Sequence, residues 1–350
     1  MPHHGEETLG GARARCLQVP AARGPLSDGV FQALTVAPEQ EPSLPVLARD
    51  ADPLGEDVQV TLYVCYELHY SAIAGVDERW EWAPSLLRLR GDLERSFERA
   101  ISELVPAASA WERSSVGRAL QELVCNESGP PLSRYLETRG ERRQMLEHVI
   151  HRSAYQLKEA DPHSWAIPRL TGSPKSALIE IQADEYGNGR AERMHSVLFE
   201  RTMRGLGLDA SYGAYIDRLP SVTLATVNLM SLLGLHRRLR GALVGHLAVF
   251  EMTSSLPNRR YGNALRRLGY GPEVTGFYDE HVEADAVHES IAAWDLAEAL
   301  ARSEPALAAD VLFGARALLA LDGRWAAHLL DAFRTGRSSL LAERPAVTAA

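Results

Sequence analysis

The chain has 350 residues, 45% of them hydrophobic, with a net charge of −9 and a pI near 5.8. That apolar content is enough for a large buried core, and the acidic balance excludes the basic face that binding to nucleic-acid phosphates demands. Cys16, Cys65 and Cys125 lie far apart with no CxxC spacing, which excludes a disulfide framework or a thiolate zinc site and suits a reducing compartment.

The opening MPHHGEETLGGARARC lacks the apolar stretch of an export signal, and no run approaches the roughly 18 apolar residues of a membrane helix. A cytoplasmic protein with no membrane or nucleic-acid partner is expected. Residues 1–55 are rich in Gly, Pro and Glu, as in ProLeuSerAspGly at 25–29 and GluGlnGluProSerLeuPro at 39–45, and predict a mostly irregular arm. From Val58 onward apolar residues recur at three- and four-residue steps between Gly and Pro, so the fold class is all-α.

In chain order the periodicity predicts helices at Leu62–Ala72, Pro84–Leu104, Pro106–Cys125, Pro131–Leu157, Ser173–Leu206 and Tyr212–Asp217. It continues with Ser221–Leu239, Gly241–Ser255, Asn258–Leu268, Val274–Ala301, Pro305–Leu321 and Gly323–Arg334. Pro131, Asn258 and Pro305 mark recognisable starts, each preceded by Pro or by capping and acidic residues. ValGlnValThrLeuTyrValCysTyr at 58–66 has the composition of a strand, but a lone strand has no partner, and helix is expected. The organisation expected is an arm over 1–55, an accessory helical region over 56–128, and a main bundle over 129–345. The basic stretches at 236–240 and 259–260 are read as solvated helix faces.

HisValGluAlaAspAlaValHis at 281–288 carries the strongest chemical signal. At about 100° per residue, His281, Asp285 and His288 share one helix face and can reach one metal, although a solvated polar stripe has the same pattern. Glu185 and His195, ten residues apart, are about 80° out of line on a regular helix, but Gly187 and Gly189 between them allow a kink. Nearby Asp184 and Glu192 are read as solvated. Glu251 falls in an apolar stretch where a buried carboxylate needs a cation, either a metal or one of Arg259, Arg260 and Arg266. His246, five residues earlier, reads as a core histidine. Glu159 is expected in the last turn of its helix before Pro162, with Asp161 and His163 capping the exit. Glu67 and His69, at i and i+2, point to different faces and read as structural.

In this order the residues resemble the heme-oxygenase-like diiron oxidase and oxygenase superfamily, also called iron-containing redox enzymes. The family pattern of Glu, a helix ending in His, Glu, then HxxxDxxH falls here on Glu159, His195, Glu251 and His281/Asp285/His288, and the likeness covers about residues 130–300. The resemblance implies a heme-oxygenase-like helical bundle preceded by accessory helices that form a homodimer. It also implies two Fe(II), O2 as co-substrate, an external reductant, and no catalytic residue beyond the metal ligands. Members that oxygenate nitrogen resemble this chain in an additional carboxylate ten residues before the histidine, here Glu185. This implies a small-molecule amine substrate in a biosynthetic pathway. Glu159, Glu185, Glu251 and Asp285 would balance two Fe(II), and three histidines complete a shell suited to iron. The alternatives are a diiron oxidase acting on carbon, with Glu185 drawn back from the metal, and a non-catalytic helical binding protein for a ligand such as heme.

Overall fold

The computed structural model of the protein describes residues 16–105, 115–126 and 129–343, without the side chains of residues 283–286. The regular secondary structure of the described residues is almost entirely helical. Within the arm, whose described residues are mostly irregular, the chain forms the helix α1 (Pro25–Ala33). The Asp57 carboxylate accepts hydrogen bonds from the Leu26 and Ser27 amides at 3.0 and 2.8 Å. The capping group therefore comes from thirty residues downstream, and no local motif could announce it. Two-residue strands, β1 (Cys16–Leu17) and β2 (Ala72–Ile73), pair in parallel and tie the arm to the segment that follows it.

The segment with strand-like composition is helix α2 (Glu56–Glu67), six residues earlier than predicted at its start. Every residue from Val58 to Glu67 is buried, which explains a helix that is apolar almost all round. Helix α3 (Pro84–Leu104) has the predicted bounds. Helix α4 (Val116–Cys125) is the second half of the predicted 106–125 helix, and residues 106–114 lie outside the described residues. The predicted 131–157 helix is two helices, α5 (Leu132–Arg139) and α6 (Arg142–Gln156). They part at Gly140, and a reciprocal Glu141/Gln144 capping box opens the second. After α6 the chain turns through residues 157–160 into the short α7 (Asp161–Ser164).

Helices α8 (Gly172–Glu185) and α9 (His195–Gly205) are separated at the expected kink. Gly187, Asn188 and Gly189 all have positive φ there, a conformation that glycine and asparagine adopt most readily. Helix α10 (Ser221–Leu235) ends before its predicted bound. Helix α11 (Arg240–Arg267) runs unbroken through Pro257, where two helices were predicted. α12 (Pro272–Ser290) continues as a π-helical turn over Ile291–Glu298 into α13 (Ala299–Ser303), and α14 (Ala308–Arg334) passes Gly323 without a break. Packing overrides the local breakers, since α11 lies along both α12 and α14. At the α11/α14 crossing the backbones touch: a Cβ on Gly245 would stand 1.7 Å from Val311 O, and one on Gly314 1.8 Å from Ala242 O. No helix among the described residues is long and apolar enough to cross a membrane.

Candidate metal centre

His281 and His288 both lie on α12 and both are buried, as the stripe predicts. Asp285 between them has its side chain outside the described residues. His281 Nδ1 is 2.8 Å from the Phe277 carbonyl. A carbonyl only accepts, so Nδ1 carries the proton and Nε2 faces Glu159 Oε1 at 3.6 Å. Glu159 is not in a last helical turn as expected, because α6 ends at Gln156 and Glu159 sits in the turn that follows. It is 2% exposed, and its Oε2 is buried without a hydrogen-bond partner.

Glu185 ends α8 and His195 begins α9, and the positive-φ turn between them removes the misalignment of a continuous helix. His195 Nδ1 comes within 2.7 Å of Glu185 Oε2, and the His195 and His281 rings stand 4.3 Å apart. On α11, Glu251 Oε2 lies 3.4 Å from His288 Nδ1. The arginines weighed as its partners are elsewhere: Arg259 is exposed, Arg260 bonds Ser133 at 3.2 Å, and Arg266 pairs with Asp279.

Potential ligand atoms fall into two groups, each within 4.8 Å: Glu159, Glu185, His195 and His281 in one, and Glu185, Glu251 and His288 in the other. Glu185 belongs to both. Six of the seven residues singled out from the sequence thus converge from α8, α9, α11, α12 and the turn after α6. A space of about 270 Å³, counting interstices, lies among Tyr155, Glu159, Glu185, Phe250, Glu251 and His281.

Asp184 was read as solvated, and its side chain is 41% exposed, but it also has a partner that the sequence did not announce. Its Oδ2 lies 2.9 Å from His288 Nε2, so it holds the ring with Nδ1 turned toward Glu185 and Glu251. A carboxylate on the far nitrogen of a histidine is the usual means of orienting a metal ligand. No sequence signal separates Asp184 from any other acid at a helix end. Glu192 is exposed, as expected. His163 Nε2 and His246 Nδ1 lie 3.1 Å apart, and burial lowers His163 to about 3, so this pair is a neutral core contact. Asp161 accepts from Tyr186 OH at 2.8 Å. Glu67 meets Lys158 and Tyr212, and His69 meets Glu81 and Arg90, both structural as expected.

Burial and the neighbouring Glu185 raise Glu251 above the usual carboxylate range. Burial alone would lower His288, but the carboxylates of Glu251 and Asp184 outweigh it and bring the ring to about 9. These are features of a site that a cation neutralises, as is the unpartnered Glu159 oxygen. The donor set, carboxylate and imidazole without thiolate, fits iron.

The comparisons agree. A family model described as iron-containing redox enzyme matches residues 146–323. A nitrosourea synthase from Streptomyces achromogenes subsp. streptozoticus is 28% identical over 211 residues, which are 59% of this chain. The match spans 44% of that protein, so the chain covers less than half the length of its relative. With the family match extending over half of its length and taking in all the residues of the buried carboxylate–histidine site, the protein belongs to the iron-containing redox enzyme family.

Proposed function

We propose that the protein is a non-heme diiron oxygenase that uses O2 to oxidise the nitrogen of a small-molecule amine, with Glu159, Glu185, His195, Glu251, His281, Asp285 and His288 as iron ligands. The observation that carries this reading is the double membership of Glu185, which lets one carboxylate serve two ions held by the two groups of donors. Bound iron would supply the electrons and open positions for O2 reduction, and an external reductant would restore it. The chain's own contribution is positional. Phe277 O holds His281, Asp184 holds His288, and the Tyr155 and Phe250 rings wall the pocket. Oxidation at carbon is the weaker reading, since there Glu185 would stand apart. The relative's name, which denotes a compound with an oxidised nitrogen, also supports nitrogen as the target.

Anaerobic titration with Fe(II) followed by O2 tests the proposal. Two irons per chain and a transient absorbing species are expected, and fewer than two irons would refute it. Because His288 must lose its proton to bind metal, and its ring titrates near 9, iron uptake releases a proton at neutral pH. Apparent Fe(II) affinity should therefore rise roughly tenfold from pH 6.5 to 7.5, and a flat profile would contradict the role given to His288. Asp184→Asn should weaken Fe(II) binding on the order of 10- to 100-fold without unfolding the chain, as losing a group that orients a ligand does elsewhere. Calorimetric titration beside the thermal midpoint separates the two effects.

A further inference from the structure

We propose that the groove between α5 and the C-terminal end of α14 binds a small polyanion of the phosphate class, such as a diphosphate or triphosphate. The groove has a volume of about 530 Å³ and is lined by Pro131, Arg134, Tyr135, Thr138, Arg139 and Arg334. It lies apart from the candidate metal centre. Helix α6 starts just beyond the groove, at Arg142, and runs 15 residues, roughly 22 Å, before the turn that holds Glu159.

The lining carries charge of one sign, in a chain whose net charge is −9. Arg134, Arg139 and Arg334 are exposed, and among the described residues none of their guanidiniums has a hydrogen bond or an ion pair. The arginines around them are committed. Arg142 Nε donates to Tyr270 OH at 2.7 Å, Arg143 pairs with Glu147 at 2.9 Å, and Arg337 pairs with Asp331 at 2.6 Å. The nearby acids are engaged as well, Asp331 by Arg337 and Glu137 by Asn263 at 2.9 Å. Three cations therefore share one groove with no counter-ion from the described residues.

Helix ends do not account for them. Arg139 and Arg334 close α5 and α14, where a cation often serves the last carbonyls. Those carbonyls already have donors. Arg267 takes Leu136 O and Glu137 O at 2.9 and 2.8 Å, and the amides of Thr335, Arg337 and Gly336 take Asp331 O, Ala332 O and Phe333 O. Arg134 stands in the first turn of α5, where the helix dipole opposes a cation.

Tyr135 adds a further donor. Its ring stacks beside Phe333 with centroids 6.4 Å apart, and its oxygen accepts from Gln144 Nε2 at 3.3 Å. Among the described residues the phenolic proton has no acceptor. A guanidinium has only donors and grips phosphate oxygens two at a time, so this lining selects an anion. Three cations match the several charges of a diphosphate or triphosphate better than the single charge of a carboxylate.

The test uses the full chain before iron is added, since phosphates themselves bind Fe(II). Pyrophosphate and inorganic triphosphate are the probes, with sulfate and hexaglutamate as controls at one ionic strength, because salt screens exposed charge. Titration calorimetry should show one saturable site per chain for at least one probe, at least tenfold tighter than either control. Arg134→Gln, Arg139→Gln and Arg334→Gln should each weaken it on the order of tenfold. Arg324 is exposed and outside the groove, so Arg324→Gln should leave affinity unchanged. All four variants should keep the parent's thermal midpoint and Fe(II) stoichiometry, which separates loss of the groove from loss of the fold or the metal centre. The proposal is overturned if neither probe binds, if sulfate or hexaglutamate binds as tightly, or if the three groove variants leave affinity unchanged. It is equally overturned if Arg324→Gln weakens binding as much as they do, the mark of diffuse charge attraction.

Discussion

Glu185→Ala is expected to lower bound iron from the two ions per chain proposed above to at most one, and to suppress O2 consumption by more than about 100-fold. This exceeds the 10- to 100-fold typical of changes that only disturb the orientation of a ligand. The reason is the position of the carboxylate, which stands within 4.8 Å of donors in both groups. His195 loses its 2.7 Å partner at the same time, and among the described residues the second group keeps only Glu251 and His288. Anaerobic Fe(II) titration with metal analysis reads the stoichiometry directly. His69→Ala is the control and should keep both ions, because His69 is held by Glu81 and Arg90, away from the donor groups. Retention of two irons by Glu185→Ala would mean that the ions do not share this residue.

The second large effect is on stability. Lys158→Met is expected to cost about 3–5 kcal/mol, because it strands the Glu67 carboxylate, which is 0% exposed, without its cation. Tyr212 OH still donates to Glu67 at 2.6 Å, but one neutral hydrogen bond does not offset a buried charge. Lys158 also lies over the Tyr70 ring at 4.3 Å, a contact that methionine keeps only as packing. Denaturant unfolding measures the loss. The double variant Lys158→Met/Glu67→Gln should recover much of it, since the unpaired charge is then gone. A double variant no more stable than Lys158→Met alone would argue that packing, not charge, governs the contact. The pair joins α2 to the residue before Glu159, so the same single variant should also weaken iron binding.

Much of the architecture was legible in residue order. Helix α3 has the bounds its pattern predicts. The turn between Glu185 and His195 falls at the two glycines that suggested it. Both features depend on neighbours close in sequence, either apolar spacing or the freedom of Gly at positive φ. The misreadings share the opposite cause. Pro257 looked like a boundary, yet α11 continues because its faces are covered by α12 and α14. The helix α1 inside the arm was not predicted, because the group that caps it belongs to α2.

The same division runs through the site. Sequence by itself determined the all-α class and pointed to the candidate donors, since a helix repeats every 3.6 residues and a carboxylate in an apolar stretch demands a partner. Tertiary structure alone decided which donors meet, with Glu185 at the junction of two groups, and which distant side chains stand together, as Asp184 behind His288 and Arg152 beside Asp322. Asp184 and His288 are 104 residues apart, and Arg152 and Asp322 170. Separations of that size leave no periodicity to read, because contact between distant segments is set by how whole helices pack.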